Sequence, residues 1–362
     1  MSRIVVTNAS RGHRELRWRR VKIRKSLDEI CHTMELEIPP GERANVGKHD
    51  RIQARAESPL ITDPGRRRLV ATVMVDEVTA AADASSHSAL VLGRSPARDI
   101  IDSTWSQTLW PNAHERGTLF DSVVEAGSRF GFGRAGDKSA LFGVTAFSGG
   151  VAFSGEPDIP DPTEPVGFMA WENESPWAKL IGEAYGQGFM ITSSAAGGLF
   201  IWRPNSAPRS EGFRIDEGKN ARAIEWRENG AEQFREYVVR GTFGKAVEID
   251  RTCNTRRILT IDIARENAPM EHLQRRAKVE MLRRREIRAA ITVSGWGLTD
   301  SQMRGLGCTR GKEIHWSPNF LIPISAPSMG LPARLLIAEV EHEADAHSMQ
   351  SAITFANREA FP

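Results

Sequence analysis

Residues 33–38, Thr-Met-Glu-Leu-Glu-Ile, alternate apolar and charged side chains with a period of two. Met34, Leu36 and Ile38 therefore share one face of a strand and Glu35 and Glu37 the other, and Pro39-Pro40-Gly41 ends the run. Residues 18–25 predict an earlier strand, rich in Arg and Lys, whose charges suit an exposed or subunit-facing side. Residues 50–56, 69–78 and 88–92 complete about five strands before residue 95, with no sustained helical period among them. That pattern predicts an antiparallel barrel or sandwich.

The centre changes character. Leu119, Val123, Val124 and Phe130 predict a helix over 118–130, closed by Gly131 and Gly133. Residues 143–164, rich in Gly, Ser, Pro and Asp, predict a loop or extended arm. Ser175 then offers an N-cap and Pro176 a first helical position, with Trp177, Leu180, Ile181 and Ala184 as the buried face. Residues 189–192 and 199–202 flank Gly197-Gly198 as a hairpin. Strand character returns at 236–241. Residues 269–288 predict the best helix of the chain, with Met270, Leu273, Ala277, Met281 and Leu282 on one side and mostly Arg, Lys and Glu elsewhere. Further strands are expected at 289–293, 313–316, 321–324, 335–340 and 351–355. The expected organisation is a first β-domain over 1–105, an inserted α/β domain with a long Gly/Pro-rich loop over 106–235, and a second β-domain over 236–362 carrying the basic helix.

The two β-regions share a motif. Gly47-Lys48-His49-Asp50-Arg51-Ile52 leads to Leu69–Val75, a polar turn and Ala89–Arg94, while Gly311-Lys312-Glu313-Ile314 leads to Leu335–Val340, a polar turn and Ala352–Arg358. A strand entered at Gly-Lys and followed by a hairpin, present twice, points to duplication, which lets few subunits present many equivalent surfaces. Chance resemblance of two amphipathic hairpins is the alternative.

Composition narrows the class. At 362 residues the chain suffices for two or three domains. No run approaches the roughly 18 apolar residues of a membrane span, and residues 1–13 lack a signal-peptide core, so a soluble chain made in a cytoplasm is expected. Cys31, Cys253 and Cys308 form no CxxC pair and suit reduced thiols. The net charge of +2 argues against a dedicated phosphate binder. The arginine runs at 66–68, 256–257, 275–276 and 283–285 therefore suggest solvated faces and inter-subunit ion pairs.

Candidate chemistry is sparse. Glu341-His342-Glu343-Ala344-Asp345-Ala346-His347 has the ligand types of a metal site, but it falls where a hairpin turn is expected. Gly131-Phe132-Gly133-Arg134-Ala135-Gly136 matches GxGxxG yet follows a helix rather than a strand, so a helix-terminating loop is expected. Asp158 and Asp161 lie in the Pro-rich loop, an unsuitable place for paired catalytic carboxylates. No GxSxG, HExxH or P-loop occurs. Trp296 and Trp316 are expected to pack in the core or at a subunit contact.

The order of the pieces resembles the baseplate hub proteins of contractile-tailed phages of the Mu type, and more remotely the late control protein D group and the base of type VI secretion spikes. The residues that carry it are Trp18-Arg19-Arg20-Val21 with Met34-Glu35-Leu36, the segment Gly93-Arg94-Ser95-Pro96-Ala97-Arg98-Asp99-Ile100-Ile101-Asp102-Ser103, and Tyr237-Val238-Val239-Arg240-Gly241. The arginine-rich helix, Val293-Ser294-Gly295-Trp296, Trp316-Ser317-Pro318-Asn319 and Leu336-Ile337-Ala338-Glu339-Val340 continue it in collinear order. Residues 131–163 are longer and richer in Gly and Pro than the family pattern, and Met34 replaces an aromatic.

The resemblance implies two related tube-type β-barrels per chain and a homotrimer. Six similar units would then adapt a hexameric tail tube to a trimeric central spike around an axial DNA channel. It implies a structural virion protein of the tail baseplate, assembled in the host cytoplasm, without enzymatic activity or cofactor, and touching tube, spike and other baseplate proteins. Arg275, Arg276, Lys278, Arg283, Arg284 and Arg285 are the candidate interface or channel residues. A tail-associated cell-wall hydrolase and a nucleic-acid binder are the competing classes.

Overall fold

The computed structural model describes residues 3–57, 68–82, 87–103, 114–117, 119–134, 136–137, 139–147, 166–168, 175–202, 213–242, 244–263, 270–285, 287–297 and 315–361. The strands β1 (Arg3–Asn8), β2 (Arg14–Leu16), β3 (Arg20–Ser26), β4 (Thr33–Ile38), β5 (Arg51–Glu57), β6 (Arg68–Ala82) and β7 (His87–Arg94) form a first antiparallel group. Its order across the sheet is β3-β4-β7-β6-β5-β1-β2. The alternation of β4 is realised as expected: Met34, Leu36 and Ile38 are buried with Val21, Ile23, Val73 and Val75, while Glu35 is exposed.

The chain leaves this group through α1 (Arg98–Ile101) and continues as β8 (His114–Gly117), α2 (Leu119–Ser128), β9 (Phe132–Arg134), β10 (Phe142–Phe147), β11 (Val166–Phe168), α3 (Pro176–Gln187), β12 (Met190–Ser193) and β13 (Leu199–Trp202). A mixed four-stranded sheet, β12-β13-β10-β9, shares one buried cluster with α2 and α3 through Val123, Leu180, Ala184, Val144 and Ile201. α3 starts at Pro176, although the Ser175 hydroxyl donates to Ile101 O at 3.4 Å rather than capping the helix. The GxGxxG match leads from α2 into β9, with Gly131 at φ +81° turning the chain at the helix end. Residues 148–165, which include Asp158 and Asp161, lie outside the described residues.

The rest of the chain comprises β14 (Ile215–Asp216), β15 (Ala221–Glu228), β16 (Glu236–Gly241), β17 (Gly244–Ile249), β18 (Ile258–Asp262), α4 (Met270–Arg284), β19 (Ile287–Ser294), β20 (Leu321–Ser325), β21 (Arg334–Asp345) and β22 (Met349–Ala356). β17-β16-β18 form a small sheet on which α4 packs through Leu273 and Ala277 against Val239 and Ala246. α4 stops at Arg284, short of the expected residue 288, because Ile287–Ser294 is a strand paired with both β15 and β22. Met270 is exposed, and Val279 and Glu280 are buried on α4 beside Leu273, Ala277 and Met281. The strand expected at 313–316 is absent from the described part of that stretch, where His315 makes an isolated bridge to Gly297.

The duplication lies in the topology. The order β3-β4-β7-β6-β5 is matched, in the same chain order, by β15-β19-β22-β21-β20. Each hairpin carries a bulge, between Val75 and Glu77 in β6 and between Ile337 and Glu339 in β21. Superposing the bulges aligns Val73-Met74-Val75-Asp76-Glu77-Val78 with Leu335-Leu336-Ile337-Ala338-Glu339-Val340, and the ungapped continuation aligns Asp83-Ala84-Ser85-Ser86 with Asp345-Ala346-His347-Ser348. The entry to the hairpin also repeats. Val75 N donates to Asp50 O at 2.9 Å and His49 N to Val75 O at 3.0 Å; Ile337 N donates to Phe320 O at 2.8 Å and Asn319 N to Ile337 O at 3.0 Å. His49 and Asn319 both sit in the left-handed region, at φ 64° and 68°.

The Gly-Lys match is thereby corrected. His49 corresponds to Asn319, so Gly47-Lys48 corresponds to Ser317-Pro318, and Gly311-Lys312 lies outside the described residues. Leu335 corresponds to Val73, not Leu69. The outermost strands differ, since β1 runs antiparallel to β5 and β14 parallel to β20.

The two groups form one thirteen-stranded sheet because the second half of β21, Glu339 to Asp345, pairs with Ser26 to Arg20 of β3. A side chain at Gly198, where β13 meets β10, would put its Cβ 2.1 Å from Gly143 O. Gly198→Ala should destabilise the protein by about 2 kcal/mol in denaturant unfolding, because backbone rather than a movable side chain occupies the space.

Candidate assembly surfaces

The β3–β21 junction is built by the alternation of both strands. On one face Arg20 Nε donates to Glu343 at 2.6 Å, Lys22 meets Glu341 at 3.0 Å, and Arg24 holds Glu339 bidentately at 2.8 and 2.9 Å. Burial works against ionisation of Glu343, but hydrogen bonds from Gln350 and Arg20 outweigh it and keep its carboxyl below the usual range. On the other face His342 is fully buried, with Nδ1 2.8 Å from Ser351 Oγ and Nε2 3.0 Å from Trp316 O. The Trp296 ring lies 5.0 Å from the His342 ring, and its Nε1 donates to Glu343 O at 2.9 Å. Trp296 and Trp316 are both buried core residues.

Residues 341–345 are thus strand rather than turn, and period-two alternation sends His342 to the opposite face from Glu341 and Glu343. Among the described residues no group of three or more His, Cys, Asp and Glu is arranged to hold a metal ion.

The segment 93–103 has a definite structural role. Asp76, the extra residue of the β6 bulge, accepts from Arg94 Nε at 2.9 Å and also pairs with Arg98. Arg98, though buried, further donates to Met74 O at 3.2 Å, and Arg94 reaches Asp102 at 2.6 Å. Two arginines therefore tie the bulge to the start of the insertion.

The arginines of α4 are largely engaged within the chain. Arg276 pairs with Glu280 at 2.9 Å and lies over the Tyr185 ring. Arg283 donates to Asp28 at 2.7 Å, and Arg284 pairs with Glu280 at 3.6 Å and lies over Phe234. Arg285 Nε donates to the buried Asp250 at 2.6 Å. Arg275 and Lys278 are exposed. The six residues thus lie along one helix and the residue that follows it, but four bind acidic partners in the same chain.

Further candidate surfaces lie at sheet edges. Beyond Val75, β6 has no strand partner on its β5 side among the described residues, and β15 has none on the side away from β19. Trp226 on β15 is 42% exposed. Its signal was present in the alternation Ile224-Glu225-Trp226-Arg227. Val247, Ile249 and Ile258 are also exposed, on the face of the small sheet away from α4.

No protein-family model matches the chain. It is 23% identical to the baseplate hub protein gp44 of Escherichia phage Mu over 369 residues, covering 95% of this chain and 85% of that protein. Among solved structures it is similar to the 43 kDa tail protein of prophage MuSo2 from Shewanella oneidensis, with a TM-score of 0.71, 21% identity and 99% of each chain covered. It is also similar to a tail protein from Neisseria meningitidis MC58, with a TM-score of 0.74, 15% identity, and 99% and 98% covered. The chain resembles a Mu-type baseplate hub protein along nearly its whole length. The resemblance seen in short segments is therefore matched by an architecture of the same extent: mainly β, with a large antiparallel sheet.

Within this hub-like chain Asp250 is a buried carboxylate tied to Arg285, Thr252 and the backbone N–H of Cys253. Hydrogen bonds from Arg285 and Thr252 outweigh burial and hold it well below its usual range. Because the folded-state pKa is depressed, the stability it supplies is complete above the ordinary carboxylate range and is lost as pH falls through and below it. Arg285→Met should cost about 3 kcal/mol at neutral pH, and the deficit relative to the parent should shrink on acidification in urea unfolding measured from pH 7 to pH 3.

Proposed function

We propose that the chain is the structural hub of a contractile phage-tail baseplate. In this reading it forms a homotrimer with pseudo-six-fold symmetry, joins a hexameric tail tube to a trimeric central spike, and encloses a channel for DNA. The observation that carries the reading is the internal equivalence of β3-β4-β7-β6-β5 and β15-β19-β22-β21-β20. A chain that contains the same module twice contributes six quasi-equivalent units when three copies close into a ring. The similarity to a Mu baseplate hub protein over 95% of the chain supports the setting.

In the ring the two modules are tube-type barrels, and the insertion with its helices and hairpin decorates them. The hub works through permanent interfaces rather than turnover, so it is a virion protein and not an enzyme. α4 is a contact surface in this reading, and its exposed Lys278 is better placed for an acidic neighbour than the arginines that already hold Asp28, Glu280 and Asp250.

Native mass spectrometry and sedimentation of the purified chain, alone and with its cognate tube and spike proteins, test the reading. The expected species is a trimer that captures both partners, and a chain that stays monomeric in every mixture contradicts it. Lys278→Glu should weaken capture of a baseplate partner and make that capture less salt-dependent, as loss of a rim charge does, while leaving thermal unfolding of the chain unchanged.

A further inference from the structure

The chain contains one copy of the junction that a ring of three chains would need once more between each pair of neighbours. Within the chain β21 meets β3. By the module equivalence β21 corresponds to β6 and β3 to β15, and the facing edges of β6 and β15 have no strand partner among the described residues. We propose that the second half of β6 in one copy pairs antiparallel with β15 of a second copy, in a register dictated by the internal junction. This rests on the head-to-tail ring of the hub reading.

The register follows residue by residue. Pairing to β7 and β22 puts Glu77 on Glu339 and Ala80 on His342. Pairing to β4 and β19 puts Val21 on Ile224, Ile23 on Trp226 and Arg24 on Arg227. The internal pairs Glu339 with Ser26, Glu341 with Arg24, His342 with Ile23 and Ala344 with Val21 then become Glu77 with Asn229, Thr79 with Arg227, Ala80 with Trp226 and Ala82 with Ile224.

The side chains fit this register. On the core face the buried Ile23 is replaced by the exposed Trp226, and the residue opposite shrinks from histidine to Ala80, so the bulkier ring meets the smaller partner. On the polar face the bidentate Arg24–Glu339 pair becomes Arg227 with Glu77, both exposed in the single chain. A slip by one residue would put Trp226 on the polar face and separate that pair. The edge from Glu77 to Ala82 carries no Pro or Lys to discourage pairing. Six strands lie between β15 and β6 in the sheet of one chain, and the two edges face opposite ways along it, the arrangement of a heterologous contact.

Disulfide trapping tests the register. A chain carrying Thr79→Cys and Arg227→Cys should give covalent dimers and trimers under mild oxidation, whereas Thr79→Cys with Trp226→Cys, one residue out of register, should not, and the parent with its native cysteines serves as the control. Trp226→Asp should raise the concentration at which the assembly half-forms by at least tenfold while leaving the circular dichroism of the single chain unchanged, since the residue is 42% exposed there. Glu77→Arg should weaken assembly and Arg227→Glu added to it should restore it. A trimer by native mass that gives no crosslink in register, or gives it with the slipped pair, overturns the junction and leaves the hub reading standing. A chain that neither crosslinks nor assembles with its tube and spike partners overturns both.

Discussion

The ladder between β3 and β21 is the constraint on which the architecture depends. Without it the molecule would be two separate sheets, each with an open edge. Seven residue pairs, Glu339 with Ser26 through Asp345 with Arg20, fix both distance and register between the modules. The fixing is two-sided. Backbone pairing and the buried Ile23, Val21 and His342 hold the inner face, while Arg20, Lys22 and Arg24 answer Glu343, Glu341 and Glu339 on the outer face. Exposed pairs of this kind are individually worth roughly 0–1 kcal/mol, so their main effect is on register, since a slip of one residue would set carboxylates against apolar neighbours.

The two bulges occupy equivalent positions but differ in what surrounds them. In β21, Leu335 and Ile337 face the core, the extra residue Ala338 interrupts, and Val340 returns to the same face. β6 repeats this with Val73, Val75, Asp76 and Val78. The extra residue is used differently in each. Ala338 packs in an apolar cluster with Leu27, Met190 and Trp202, whereas Asp76 receives Arg94 and Arg98. One bulge thus anchors the insertion by packing and the other by ion pairs.

Strands with one buried face were legible in the sequence because alternation reports burial directly; β4 is the clearest case. α2 and α3 were legible through apolar spacing and Pro176, but α4 ends before its sequence pattern does, because cross-strand pairing of Ile287–Ser294 prevails over the helical propensity of the arginine run. The repeat was detectable but misregistered. Gly47-Lys48 corresponds to Ser317-Pro318 rather than to Gly311-Lys312, and what the two modules share is a left-handed residue before a strand, His49 in one and Asn319 in the other, which no residue identity reveals. The basic residues of this segment look alike in sequence, and only the fold separates Arg283, Arg284 and Arg285, bound to Asp28, Glu280 and Asp250, from the exposed Lys278. Trp226 is harder to read because its alternation spans only Ile224 and Trp226 before Arg227, Glu228 and Asn229 follow.

The central claim is that the geometry between modules inside one chain is repeated between chains. A cryo-electron microscopy reconstruction of the assembled chain, refined without imposed symmetry, tests this most directly. The account predicts a ring of three chains in which successive modules are related by nearly the same rotation and the β-ladder runs unbroken from each β6 into the next β15. A three-fold particle whose inter-chain contacts leave β6 and β15 apart, or alternate between two unrelated rotations, would contradict it.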